Sequence, residues 1–309
     1  MNALEDSMLM TDKVPATAPR PRPSARIGPG SRVLALIPHY RCERWLPDAL
    51  AALVEQTVRL DGIAVIDDAS EVPPASITNR FPGVTLLQSR RNAGPYALIQ
   101  AVIDQTGYDA YLFNDADDWS DPRRLEHLLD EAWDQGAELV GSQEVRVDCR
   151  EGEVYLAHYP LDVNEALERE PTAFPLLHPT SLVSRDLVRR IGGFATGMRF
   201  SGDAEFLRRA ARAGRAVNVP EYLYFRRKRT GALTTSRDTG LESRARRRVQ
   251  AALWERARKN AERTARGQAP DLRPSSVGPP VRLRHLGGPP LRTARETTVA
   301  GGRRHANSG

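Results

Sequence analysis

The sequence predicts an α/β fold with a mostly parallel central sheet. From about residue 32 to 235, short apolar runs alternate with amphipathic segments in a β-α-β-α order. Three of the apolar runs end in polar clusters, "IPHY", "IDDAS" and "NDADD". Helix punctuation is also in place: Pro122 near the head of "SDPRRLEHLLDEAWDQG" and Gly136 at its end.

The elements follow in order. "RVLALIP" reads as a buried strand and "WLPDALAALVEQT" as a helix. "DGIAVIDDAS" is a second strand with its exit loop, and "GVTLLQS" a third strand. "PYALIQAVIDQTG" is a helix, with Pro95 allowed in its first turn. "DAYLFNDADD" is a fourth strand, followed by the helix headed by Pro122, with Ser120 or Asp121 as its cap. "AELVGSQEVRVD" and "EGEVYLAHYP" read as strands of a hairpin turned at Glu151-Gly152. A short helix before Gly192-Gly193, the helix "DAEFLRRAARAG" and the strand "RAVNVPEYLYFRRKR" complete the body. The expected organisation is a disordered Pro/Arg-rich segment over 1–30, an α/β domain over 31–240, an Arg-rich helix over 241–266 and a disordered basic tail over 267–309.

Charge is divided unevenly. The net charge is +6, yet residues 241–309 carry 16 Lys and Arg against 5 Asp and Glu, so the body is mildly acidic. An acidic body suits a cation site, and a basic tail suits weak contact with an acidic surface. The longest apolar runs are far short of a membrane span, and the N-terminus has no apolar core of signal-peptide type. The expectation is a cytoplasmic protein, with peripheral contact at a membrane left open. Cys42 and Cys149 form no metal or disulfide pattern and read as ordinary thiols.

Ligands of open α/β sheets bind beyond the carboxyl ends of the strands. The first strand exits into "PHYRCER", which has no glycine, so a Rossmann dinucleotide site fails at once. Walker and GxSxG motifs are absent. "YLFNDADDWSDP" places four aspartates within seven positions. Asp115 and Asp117, separated by Ala116, can converge at a strand exit. Such convergence is costly unless a cation lies between them, and hard ions such as Mg²⁺ or Mn²⁺ take oxygen ligands and substrate phosphates. An EF-hand reading fails because Ser120 stands at the invariant glycine position. Asp118 is a metal neighbour or a solvated loop residue, and Asp121 reads as a helix-start charge.

Taken together, the clusters over about residues 32–235 resemble family-two glycosyltransferases of the GT-A fold. "VLALIPHYRCERWLPDALAALVEQT" looks like their opening strand and helix, with Pro38 and Tyr40 at the turn and Arg41 where Asn is commonest. "IAVIDDAS" is similar to their VDDxS segment, and "SRRNAGPYALIQAV" to their Asn-x-Gly segment, carried by Asn92 and Gly94. Here "PYALIQ" replaces the usual Ala-Arg-Asn continuation. "FNDADDW" resembles the DxD motif, and "HPTSLVSRDLVRRIGGFATGMRFSGDAEFLRRAARAG" the acceptor-side segment. The family's Glu-Asp pair before a helix reads Gly202-Asp203 here. "EYLYFRRKRTGALTT" resembles the closing basic segment.

The resemblance implies a GT-A sheet with helices on both faces and inverting sugar transfer. The donor would be a nucleoside-diphosphate sugar and the acceptor a hydroxyl on a glycan, a lipid-linked or a small molecule. Mg²⁺ or Mn²⁺ would be held by Asp117 assisted by Asp115. Asp203 is the implied base. Tyr40, Asp67 and Asp68 would meet the nucleoside, with Asp67 favoured for the base, and Arg226 and Arg227 the diphosphate. His178 reads as a structural histidine near the acceptor side. Three rival readings stay open. A nucleotidyltransferase lacks its Gly-rich loop here, a nucleic-acid binder acting through the basic tail leaves the carboxylates unexplained, and an inactive nucleotide-sugar-binding relative fits the glycine at 202.

Overall fold

A computed structural model describes residues 26–149, 151–229, 240 and 243–294. The segment 1–25 and the last residues, 295–309, lie outside the described residues; residues 26–30, expected to be disordered, are instead tied down, with Ile27 buried in the first core and Ser31 N donating to Gly28 O at 2.9 Å. The elements, in chain order, begin with β1 (Val33–His39), α1 (Leu46–Val54), β2 (Gly62–Asp67), α2 (Ala75–Thr78), β3 (Val84–Ser89) and α3 (Pro95–Gln105). Next come β4 (Ala110–Phe113), β5 (Trp119–Ser120), α4 (Arg124–Gln135), β6 (Leu139–Asp148), β7 (Glu153–Ala157) and α5 (Val163–Arg169). A 3₁₀ turn (His178–Thr180), β8 (Leu182–Ser184), α6 (Arg185–Arg190), α7 (Gly202–Ala213), β9 (Ala216–Lys228), α8 (Arg244–Ala265) and β10 (Leu283–Gly287) complete the order.

The strands form one sheet in the order β10-β3-β2-β1-β4-β8-β6-β9-β5, with β7 added to β6. Parallel pairing joins β1 to β2 and β4, β2 to β3, and β6 to β9. The others run antiparallel to their neighbours. β1 is buried on both faces, so it reads as the unbroken apolar run "VLALIP". Its odd residues Val33, Ala35 and Ile37 pack with Leu46 and Leu50 of α1 and Leu125 and Leu128 of α4. Its even residues Leu34 and Leu36 face Leu98 and Val102 of α3, Leu187 of α6 and Phe206 of α7. Helices therefore cover both faces, and one apolar strand supplies two cores.

Local chemistry explains most boundaries. Gly136 ends α4 in the left-handed conformation, φ 59°. The start of that helix differs from expectation. Ser120 is drawn into β5, opposite Tyr224 of β9, and α4 begins only at Arg124. Asp121 instead accepts from Arg123 N at 2.9 Å and shapes the turn before the helix. Pairing with β9 outcompetes the capping role that the local sequence suggests.

The expectation of disorder from 267 onward is overturned for residues 267–294. β10 pairs antiparallel with β3, and Gly107 N donates to Arg292 O at 2.9 Å. Leu272, Val281, Leu283 and Leu291 pack against the second core. α8 precedes this wrap, burying Leu253 and Ala257, and Arg256 reaches the buried Glu205 of α7 at 3.0 Å. A segment held by main-chain pairing shows little hydrophobic periodicity, which is why composition misread it.

The wrap makes a testable demand at Gly288. Its φ is +80°, and a Cβ there would run into the Val84 carbonyl oxygen. Gly288→Ala is expected to cost about 1–3 kcal/mol from backbone strain alone, seen as a lowered midpoint of thermal unfolding.

Candidate active site

The parallel strands deliver their polar ends to one edge of the sheet. At the end of β1 the buried His39 places Nδ1 2.8 Å from Asp67 Oδ1 at the end of β2. Ser70 N at 2.9 Å and Gln88 Nε2 at 3.1 Å donate to the other oxygen of Asp67. Burial pushes the Asp67 carboxyl up, but these bonds outweigh it and leave it below its usual range. With no exposed surface, Asp67 ties the strand ends together. Asp68 accepts from Ala93 N at 2.7 Å and Gly94 N at 2.9 Å, and burial still raises it above its usual value. This bond pair fixes the turn into α3, where Gly94 takes φ 84° and the exposed Asn92 points Nδ2 at Asp68 O, 3.4 Å away. Pro38 lies within β1, in register with Ile66. Tyr40 is 44% exposed, with the Arg41 guanidinium 5.2 Å above its ring.

After β4 the chain turns sharply through the acidic motif. Carboxylate oxygens of Asp115, Asp117 and Asp118 lie within 4.8 Å of one another. Burial, then the charges of Asp117 and Asp203, push Asp115 up to about 7. Burial, then Asp115 and Asp117, raise Asp118 well above its usual value. Each shift registers the cost of crowding anions in a poorly solvated place. The donor set is all oxygen and all anionic, which fits a hard divalent cation.

Arginines gather against these carboxylates. Arg229 Nε donates to Asp117 Oδ2 at 2.6 Å, and its Nη2 lies 2.9 Å from Cys42 Sγ. Arg227 is more heavily engaged than a free phosphate ligand would be. Its guanidinium contacts Asp117 O at 2.8 Å and Asp48 at 2.6 Å, and lies over Trp119 and Trp45. The Arg227 backbone N donates to Asp118 Oδ1 at 2.8 Å. Arg226 lies 3.5 Å from the buried Glu144, and its charge also reaches Asp115, opposing the upward shift there.

Beneath the motif lies Arg124, fully buried at the start of α4. It donates to Asn114 Oδ1 at 3.0 Å, Phe113 O at 2.8 Å and Pro179 O at 2.7 Å. Burial lowers it to about 10, so it remains charged at neutral pH. Tyr224, below that guanidinium at 4.8 Å, accepts from Asp115 N at 3.1 Å and donates to Asp118 Oδ2 at 3.0 Å. Asp203 lies in the first turn of α7 and accepts from Tyr96 OH at 3.1 Å. His178 stacks on Phe113 at 4.1 Å, and burial lowers it to about 4, so it is a neutral ring at pH 7.

The sequence-predicted residues thus fall into two groups. Asp115, Asp117, Asp203 and Arg226 interact around one acidic centre, with Asp118 added. Asp67, Asp68 and Asn92 act on loop geometry at the neighbouring strand ends. Arg229, Arg124, Tyr224 and Tyr96 were not singled out. Strand alternation holds a signal for Arg229: Phe225, Arg227 and Arg229 occupy alternate positions, and Phe225 already stacks on Trp119 at 5.3 Å. No local pattern marks Arg124 as buried, since "PRRLEH" reads as an ordinary helix start.

Arg124→Met is expected to cost about 3 kcal/mol or more, because several charge-assisted bonds vanish and their acceptors stay buried. Urea unfolding of the variant against the parent measures it.

The model of the family "Glycosyl transferase family 2" matches residues 35–192, about half of the chain. No curated protein matches. Among solved structures, S. aureus TarS 1-349 in complex with UDP-GlcNAc is similar at TM-score 0.57 and 16% identity, covering 75% of this chain and 73% of that one. The complex of the same fragment with UDP gives TM-score 0.56 at 14% identity, with 75% and 72% covered. Against another S. aureus TarS structure the TM-score is 0.55 at 16% identity, and the match spans 64% of this chain but 37% of that one. At these identities the structural likeness speaks for the fold, a GT-A sheet with the motifs at its strand ends. The family match over its core adds the chemistry: this chain belongs to glycosyl transferase family 2.

Proposed function

We propose that the protein transfers a sugar from a nucleoside-diphosphate sugar to an acceptor hydroxyl, with inversion and with a divalent metal. The convergence of three carboxylates beside a fourth, Asp203, whose charge is felt at Asp115, carries the reading. Asp115 and Asp117 would hold Mg²⁺ or Mn²⁺, with Asp118 steadied behind them by Tyr224 and Arg227 N. A bound metal would supply Lewis-acid stabilisation of the departing diphosphate. UDP and UDP-GlcNAc, bound in the TarS structures, make uridine donors the first to test.

The protein groups divide the remaining work. The loops fixed by Asp67 and Asp68 would receive the nucleoside near Tyr40, Asn92 and Gly94. Arg226 and Arg229 would supply positive charge to the diphosphate, where charge-assisted bonds are strong. Arg227 would act chiefly by fixing the motif, since Trp45, Trp119 and Asp48 hold its guanidinium. Asp203 would accept the proton of the attacking hydroxyl as the new bond forms opposite the leaving group. Among the described residues no helix is long and apolar enough to cross a membrane.

Thermal-shift screening against UDP-, GDP- and dTDP-sugars with and without Mn²⁺ tests the donor. A ligand at about a hundred times its Kd stabilises by roughly 2.7 kcal/mol, and Asp115→Asn should remove the metal-dependent part of the shift. Absence of a shift with every nucleotide and metal would refute the assignment. Asp203→Asn should bind donor normally and lose transfer by roughly 10²- to 10⁴-fold, the range of general-base contributions; wild-type turnover would exclude Asp203 as the base.

A further inference from the structure

Two departures from the family pattern meet at a single contact. One is "PYALIQ" after the Asn-x-Gly segment, and the other is Gly202 before Asp203. Tyr96 belongs to the first. Its ring lies so close to Gly202 that a Cβ on residue 202 would sit 2.5 Å from ring atom Cδ2 and 2.8 Å from Cε2. No side chain fits at 202 while Tyr96 keeps its place. The backbone at Gly202 does not itself demand glycine, because its φ is not positive. The aromatic ring is therefore what excludes a side chain there.

The same ring delivers its hydroxyl to Asp203. Tyr96 OH donates to Asp203 Oδ1 at 3.1 Å. Tyr96 is itself immobilised: it is 8% exposed, lies in the first turn of α3 and stacks parallel to Phe194 at a centroid distance of 6.3 Å. Phe194 in turn stacks on Phe206 of α7 at 3.9 Å, so the aromatic column ties α3 to the helix that carries Asp203. Gly202 is the space that lets the ring reach this position.

We propose that Tyr96 is a positioning residue for the transfer reaction, holding one oxygen of Asp203 so that the other faces the acceptor hydroxyl, and that Gly202 exists to admit its ring. The proposal rests on Asp203 being the base. A buried aromatic hydroxyl can restrain a carboxylate as a neighbouring side chain at 202 would, without adding a second carboxylate to an already crowded acidic centre. The chain thereby keeps one anion on the acceptor side where the family pattern has two.

A double-mutant cycle tests the packing and a kinetic split tests the positioning. Gly202→Ala should lower the melting temperature by several degrees in the parent and leave it unchanged or raised in a Tyr96→Ala background. An equal loss in both backgrounds would overturn the link between the two residues, with or without a known substrate. Tyr96→Phe keeps the ring and loses the hydroxyl. With the donor that thermal-shift screening identifies, it should bind that donor and Mn²⁺ as the parent does, with kcat lowered roughly ten- to hundredfold, the scale of a misaligned reacting group. Wild-type kcat in Tyr96→Phe would overturn the positioning role. Failure of every nucleotide sugar to bind, or full turnover in Asp203→Asn, would instead strike the functional reading beneath it, while the melting cycle would still decide the pairing of Tyr96 with Gly202.

Discussion

Arg124 carries a guanidinium into the space beneath the acidic motif and exposes none of it. A charge so placed is expensive unless it is paired and hydrogen-bonded. Here it binds the carbonyl at the end of β4, the side chain of Asn114 and the carbonyl of Pro179. These groups belong to the strand, the turn after it and the 3₁₀ turn His178–Thr180. Its positive charge also opposes the rise in the pKa of Asp115. One interaction thus sets the shape of the turn, offsets its crowding and joins the two halves of the site.

Around that anchor the site is an arrangement of opposed charges on buried and half-buried side chains. Burial shifts both Asp115 and Asp118 upwards; Asp117 and Asp203 add to the shift of Asp115, and Asp115 and Asp117 to that of Asp118. Tyr224 and the Arg227 backbone brace Asp118 from behind, and Arg229 faces Asp117. Contacts likewise separate the arginines. Arg227 is clamped between two tryptophans, whereas Arg229 pairs with Asp117 and Arg226 lies against Glu144.

The C-terminal wrap serves the same centre from a distance. Glu205, on the helix that begins beside Asp203, is buried and binds Arg209, Arg256 of α8 and Ser275 N. Residues that follow α8 then run back to pair with β3. The helix bearing the proposed base is consequently held in its first two turns, by the aromatic column of Tyr96, Phe194 and Phe206 and by the Glu205 network.

By itself the sequence determined the alternation of strands and helices, the two-sided burial of β1 and the acidic cluster at the exit of β4. Each follows from local pattern: an apolar run, a glycine stop, carboxylates one residue apart. The tertiary structure decided the rest. It placed Asp67 in a closed set of bonds with His39, Ser70 and Gln88 and directed Arg227 onto two tryptophans. It also folded residues 267–294 onto the sheet and brought Tyr96 against Gly202 across 106 positions of chain, as the numbering gives. These outcomes depend on which surfaces meet after folding. Main-chain pairing leaves little trace in side-chain periodicity, and the burial of an arginine such as Arg124 is set by neighbours that its own segment does not contain.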